Sequence, residues 1–355
     1  MTFGVGSESL LLQEHHRPYT HFTDLKSPET QTPQLITLIG KDAKTRAMCK
    51  LKLGISPQVD ISSEVQIKID PTTLEDPAPF LYADCELHNP TLPVIVATEP
   101  SGDVISRPLM FPKDYNPVLL AHIVYTKLIV PFSTVVCLFA DDFGGIIGAA
   151  SILAIWLTNV KAPPFDLPLS TLPKLLVFES YIAKARVNKT EATENFRKIL
   201  STEVAKRQGS KLSKPELHAL IAKQFGGISV LRLPSLKASL RSWAITRRLL
   251  IQESSMVYEH RSHAQVSFTV PHFKAFFHLA SDHFCSNIDG PFNFISVSRI
   301  DNPVSKDFRT HLTAFLKFVD ERQVLNFGVP IIASALAFDN YPPGMHGTYT
   351  RSFLI

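Results

Sequence analysis

Four cysteines, Cys49, Cys85, Cys137 and Cys285, are all that 355 residues contain, and they stand far apart. A chain of this length needs no covalent staples, so buried free thiols are expected rather than disulfides. None has a second cysteine or a closely spaced histidine beside it, which excludes the usual pattern of a structural zinc site. Long apolar runs are missing as well. Leu128–Ala140 is interrupted by Pro131, Ser133 and Thr134, and Ile146–Leu157 is short, so neither approaches the ~20 residues that span a bilayer. Residues 1–16 carry Glu8 and Glu14 and no basic cluster ahead of Leu10–Leu12, unlike a secretory signal. The expected location is cytoplasmic. There is no internal repeat, no low-complexity tract, and no Gly-x-Ser-x-Gly nucleophile elbow.

What is present is a chain rich enough in apolar residues to fold: 45% hydrophobic, 19% charged, with a mean hydropathy of +0.08. The net charge of +4 is modest but unevenly spread, since residues 197–248 hold twelve Lys or Arg against Glu203 and Glu216. Such a stretch is either a solvated helical face or a surface for an anionic partner.

Residues 1–32 read as a flexible, loosely docked arm. Regular structure begins with the apolar run Leu35–Ile39, which ends at Gly40 and is followed by a helix over 41–53. Glu64–Asp70 alternates as a half-buried edge strand, and Phe80–Ala83 is a further strand ending at Asp84. Helical spacing marks Pro112–Thr126. Thr134–Ala140 has the composition of a central strand covered on both faces. A helix over Gly148–Leu157, strand Leu175–Phe178, helices Glu191–Val204 and Lys214–Phe225, and strand Ile228–Leu233 continue the alternation. Six strands joined mainly by helices predict an α/β fold, a largely parallel sheet with helices on both faces. Beyond Ser235 only helical stripes follow, at Leu236–Glu259, His272–Cys285, Lys306–Val319 and Gln323–Leu336, the last broken by Pro330. These give an α/β domain over 33–235 and a helical extension over 236–355 packed on it.

The strand, glycine and helix at Leu35–Ala47 have the context of a phosphate-binding loop, in which backbone N–H groups cradle phosphate, a lysine reaches the outer phosphates and a hydroxyl meets Mg2+. Counting strictly from Gly40 places Thr45, Arg46 and Ala47 where glycine, lysine and serine belong. Shortening the loop by two makes Lys44-Thr45 the Lys-Thr pair, preceded by Ala43 instead of glycine. An ordinary turn and helix start without a ligand fits the same letters. Asp84 is either a carboxylate on the Mg2+ side, since ligands gather at the carboxyl ends of parallel strands, or a loop residue capping a turn.

The series Leu35–Gly40, Asp70-Pro71-Thr72-Thr73, Leu81-Tyr82-Ala83-Asp84-Cys85-Glu86, Tyr125, Pro131-Phe132-Ser133 and Val135-Val136 resembles the GTPase-like P-loop domains of large fungal multidomain proteins, some of which carry patatin-like lipase regions. The resemblance covers residues 33–235. It implies a three-layer P-loop NTPase-like fold. By motif match, Gly40, Lys41, Lys44, Thr45 and Arg46 would be phosphate-loop residues, Thr72 or Thr73 the switch threonine, and Thr45 and Asp84 the Mg2+ side. The chain departs from the pattern at Leu87, which replaces the glycine of Asp-x-x-Gly, and no Asn-Lys-x-Asp follows Leu175–Phe178. Asn188-Lys189-Thr190-Glu191 is a near match placed too late. The implied function is a degenerate scaffold or protein-interaction module without efficient hydrolysis and without a cofactor, its partner a protein or neighbouring domain, with weak anion binding through 197–248. The alternative is an active nucleoside triphosphatase or switch using GTP and Mg2+. Asp141-Asp142 before Phe143-Gly144-Gly145 fits a strand end better than a catalytic pair. His272, His278 and His283 lie among phenylalanines, as core-side residues do. Tyr341–Gly347 reads as a rigid terminal turn.

Overall fold

Strand β8 (Ser133–Phe139) is buried at every position, as a strand covered on both faces must be. The computed structural model describes residues 2–5, 10–15, 21–53, 65–87, 95–96, 104–109, 122–159, 168–180, 188–210, 212–264, 266–287, 290–298 and 307–339. In the main sheet β8 lies between β3 (Gln34–Ile39) and β9 (Lys174–Ser180), with β10 (Gly227–Leu233) beyond β9 and β5 (Phe80–Cys85) beyond β3. All five are parallel. β4 (Gln66–Ile69) closes the β5 edge antiparallel. The six strands expected from apolar patterning are these six, and the fold is α/β with a mostly parallel sheet flanked by helices.

Alternation along the strands divides the core. Ile36, Leu38, Tyr82, Val135, Cys137, Phe139, Leu176 and Phe178 pack with Ala43, Ala47 and Met48 of α1 (Asp42–Leu51) and with Trp243 and Leu250 of α5 (Leu240–His263). Phe139 and Phe178 stack with ring centroids 5.1 Å apart. At β10, Val230 N–H donates to Thr193 Oγ1 of α3 (Lys189–Gln208), 3.0 Å, and α3 also packs on α2 (Ile146–Asn159). A shorter helix, α4 (Lys214–Ala222), opens with a capping box in which Ser213 and Glu216 satisfy each other's donors.

The N-terminal residues depart from the expected loose arm. β1 (Thr2–Val5) and β2 (Leu10–His15) join β6 (Ile95–Val96) and β7 (Val104–Pro108) in a second sheet of order β6-β1-β2-β7. Glu14 of β2 is buried and accepts from Arg107 of β7 at 2.6 Å, and Arg107 also bonds Asp282 and His278 of α6 (Val270–Ser286). The partner strand that makes the arm ordered is about ninety residues away, beyond the reach of local patterning.

The chain divides after Phe292 rather than near Ser235. α5 and α6, assigned from sequence to an extension, belong to the unit that contains both sheets: α5 packs on β3, β8 and β9. The second unit, residues 293–355, contains α7 (Phe294–Ser298), α8 (Phe308–Leu316) and α9 (Val329–Asp339). Pro330 falls in the first turn of α9, where a missing N–H costs little, and a π turn at Val324–Gly328 precedes it. Most of the helix expected over Pro112–Thr126, and the turn at Tyr341–Gly347, lie outside the described residues.

Candidate functional site

In chain order β3 is followed by β5 on one side and β8 on the other, so the crevice at the carboxyl ends of β3 and β8 is a topological switch point, the place where open α/β sheets bind ligands. Ile39 is in register with both Cys85 and Leu138. Gly40, Asp84 and the Ala140–Phe143 turn therefore emerge on one edge of the sheet, as expected for Gly40, Asp84 and Asp141.

Helix α1 starts at this edge with Lys41 as its N-cap residue, a side chain that offers no acceptor. Four N–H groups at a helix start need partners, and here a distant carboxylate takes three of them. Asp142 accepts from Lys41 N–H at 2.6 Å and Lys44 N–H at 3.0 Å through Oδ2, and from Ala43 N–H at 2.7 Å through Oδ1. Gly144, at φ 83°, ends the tight turn that follows β8 and so aims Asp142 back at α1. Gly40 makes room for it: a Cβ there would stand 2.5 Å from Asp142 Oδ2. The carboxylate thus sits where an oxyanion would meet the helix N-terminus.

Lys44 is 1% exposed. Its Nζ donates to the Cys85 carbonyl at 2.8 Å and pairs with Asp84 Oδ1 at 2.6 Å. Asp84 Oδ2 meets Lys68 at 3.3 Å, so both carboxylate oxygens already face ammonium groups. Thr45 Oγ1 donates to the Lys41 carbonyl at 2.7 Å. Both halves of the Thr45–Asp84 pair are engaged within the fold, the hydroxyl with the Lys41 carbonyl and the carboxylate with two ammonium groups that a Mg2+ ion would have to displace. Among the described residues no cluster of three or more His, Cys, Asp or Glu could hold a metal. Burial pushes the Cys85 thiol up to about 12, so it is not a nucleophile at neutral pH. Arg46 is exposed on α1.

Thr72 and Thr73 are not brought to this edge. β4 runs against β5, with Ile69 beside Leu81, so the turn after β4 lies at the start of β5. There Thr72 donates its N–H and hydroxyl to Asp70 Oδ1, at 3.0 and 2.6 Å, and Thr73 Oγ1 accepts from Phe80 N–H at 3.1 Å. Both threonines build a turn around Asp70, whose carboxylate also accepts from Tyr82 and Arg247. Asn188 is likewise structural: it caps α3, accepting from Thr190 N–H, and Lys189 pairs with Glu253 at 2.8 Å. Asp141 accepts from the Ser180 hydroxyl across the β8–β9 strand ends. His278 lies in the Arg107 cluster, and His272 bonds Thr269.

The residue that sequence reasoning missed is Asp142, which was set beside Asp141 as a strand terminator. The signal available was the missing cap: a helix whose N-cap is Lys41, with no Ser, Thr, Asp or Asn there, leaves its first N–H groups to water or to an acceptor from elsewhere in the chain.

Comparison with protein-family models and with curated proteins finds no match. Among solved structures, a crystal structure of an SsGBP mutation variant aligns at a TM-score of 0.28 and 11% identity, over 69% of this chain and 59% of that one. The chain thus spans under two thirds of that protein's length. Among the described residues no helix is long and apolar enough to cross a membrane.

Proposed function

We propose that the protein is a degenerate GTPase-like module that acts as a scaffold or protein-interaction domain and does not hydrolyse nucleotide efficiently. The observation that carries this reading is Asp142: its carboxylate takes the backbone N–H groups of Lys41, Ala43 and Lys44, the donors a triphosphate would need. An incoming phosphate would have to displace a tethered anion at close range and overcome its repulsion. Lys44, the side chain nearest the role of the phosphate lysine, is committed to Asp84. A protein partner or neighbouring domain is supported by exposed apolar side chains, Leu236, Leu240 and Ile245 in the first unit and Phe318, Leu325 and Phe327 in the second. The basic stretch 197–248 is a weaker candidate for anions than its composition implies, because Arg197, Lys206, Arg232 and Arg247 each have a carboxylate partner.

The alternative, a Mg2+-dependent GTP switch, draws on the juxtaposition of Lys44 and Asp84 at the switch point. Calorimetric titration of the purified chain with GTP and ATP, with and without Mg2+, separates the two. The module reading expects no tight saturable binding and no Mg2+-dependent phosphate release. Tight binding that requires Mg2+ and vanishes in Lys44→Ala would make the switch the better account.

A further inference from the structure

A second feature, independent of the strand-end site, lies between α3 and α4, where a cavity of about 550 Å³ opens to the surface. Its size falls within the ~300–1,000 Å³ of small-molecule sites. The lining is mainly apolar, with Leu217 and Ile221, each 5% exposed, as its floor. The surroundings are cationic: Arg197, Lys198 and Lys214 line it against a single acid, Glu194. Glu194 is held by Arg197, whereas Lys198 and Lys214 form no ion pair among the described residues. The capping box at Ser213–Glu216 already satisfies the start of α4, so the positive character comes from side chains and not from an open helix end. Arg197 adds an unmet demand, since its Nε–H is shielded from solvent and has no acceptor among the described residues. A shielded donor in that condition is unfavourable until an acceptor reaches it.

An apolar floor beneath a cationic rim calls for an alkyl body with an anionic head. No Phe, Tyr or Trp lines the cavity, and His218 is the one aromatic ring in its lining, so it lacks the broad aromatic platform on which a nucleobase stacks. Its volume receives a single chain and no bilayer surface. We propose that the α3–α4 cavity binds a single-chain fatty acid, the alkyl chain over Leu217 and Ile221 and the carboxylate between Lys198, Lys214 and Arg197. Arginine's planar fork suits a carboxylate, and a turn of Arg197 toward the ligand gives its Nε–H the acceptor it lacks.

The test is fluorescence titration of the full chain with dansyl-undecanoic acid below its micellar concentration, followed by competition. One saturable site is expected, emptied by dodecanoate and at least about tenfold less well by dodecanol, a factor set by the lost ion contacts. Exchanging the two exposed cations, Lys198→Glu with Lys214→Glu, should weaken binding about tenfold or more. Ser201→Trp, which fills the cavity without changing charge, should abolish binding while thermal melting stays intact. Absence of saturable binding, equal competition by the alcohol, or unchanged affinity in both variants would overturn the proposal. Displacement of the probe by an acidic peptide but not by dodecanoate would assign the groove to a protein partner and overturn it as well.

Discussion

Two cations are buried at opposite ends of the same sheet, and the sheet treats them differently. Lys44, at the carboxyl end, is neutralised by Asp84 and sits behind a helix start that Asp142 has filled. Arg261 of α5, at the other end, has four carbonyls and, among the described residues, no bonded carboxylate: it donates to Thr171, Phe132, Pro131 and Ser133 at 3.0, 3.2, 3.3 and 2.7 Å. Burial pushes its guanidinium down to about 10, still charged at neutral pH. Arg261 therefore ties α5 to the entry of β8 and to the turn before β9, using dipoles alone. Its job is complete within the fold. The lysine end has the layout of a place where an anion is handled, with the anion built in. On the proposed reading, the difference separates a structural staple from a site closed from within.

If the staple account is right, Arg261→Ala should have the largest effect of the substitutions considered. It leaves several carbonyls without a donor, and unfolding by denaturant should show a loss of roughly 4 kcal/mol. A loss under about 1 kcal/mol would mean that water replaces the guanidinium without cost, and the contrast with Lys44 would fail.

The next effect in size is set by pH. Burial, reinforced by Arg207, holds His122 down to about 4 from 6.5, and the ring accepts Trp156 Nε1–H at 3.0 Å. Between these values the unfolded chain binds the proton and the folded chain does not, so stability must fall as pH drops from about 6.5 to 4, by on the order of 3 kcal/mol. Asp70 and Glu253 contribute lower down. Burial raises both, but hydrogen bonds from Thr72, Tyr82 and Arg247 to Asp70, and from Lys174 and Lys189 to Glu253, outweigh it. Their stabilisation is lost only as pH falls below their ordinary values of 3.8 and 4.5. His122→Asn should flatten the upper window and leave the lower one; an unchanged slope above pH 4.5 would remove His122 from the account.

Smaller effects belong to the closed site. Lys44→Ala should cost about 2 kcal/mol, and Lys44→Met, which keeps the volume, about half that, because Asp84 retains Lys68 and partial solvent access. Asp142→Ala should cost about 1–2 kcal/mol, as lost helix caps do, with fraying of α1 visible in amide exchange. An Asp142→Ala protein as stable as the parent, with α1 equally protected, would show that the carboxylate does not cap the helix.

The main sheet was legible because parallel strands covered on both faces write themselves as apolar runs, as at Leu35–Ile39 and Thr134–Ala140, ending in Gly40 and Asp141. The second sheet was not, because β2 is ordered by β7 through Glu14 and Arg107, a pairing that no local window contains. Gly40, Lys44 and Asp84 do lie together, because Gly40 and Asp84 stand at neighbouring strand ends and Lys44 is in the first turn of the helix that starts between them. Thr72 and Thr73 were misplaced because antiparallel pairing sends the turn after β4 to the other edge. Asp142 was invisible as a cap for the same reason as the second sheet: its three N–H partners lie 98–101 residues away.

The central claim, that a tethered carboxylate holds the donors a triphosphate would use, is tested most directly at those donors. Amide resonances of Lys41, Ala43 and Lys44 should be followed while GTP and Mg2+ are added to the isotopically labelled protein. The account predicts that all three stay unshifted and keep their protection from exchange, still bonded to Asp142. Saturable shifts of all three that require Mg2+, with Asp142 released from the helix, would contradict it.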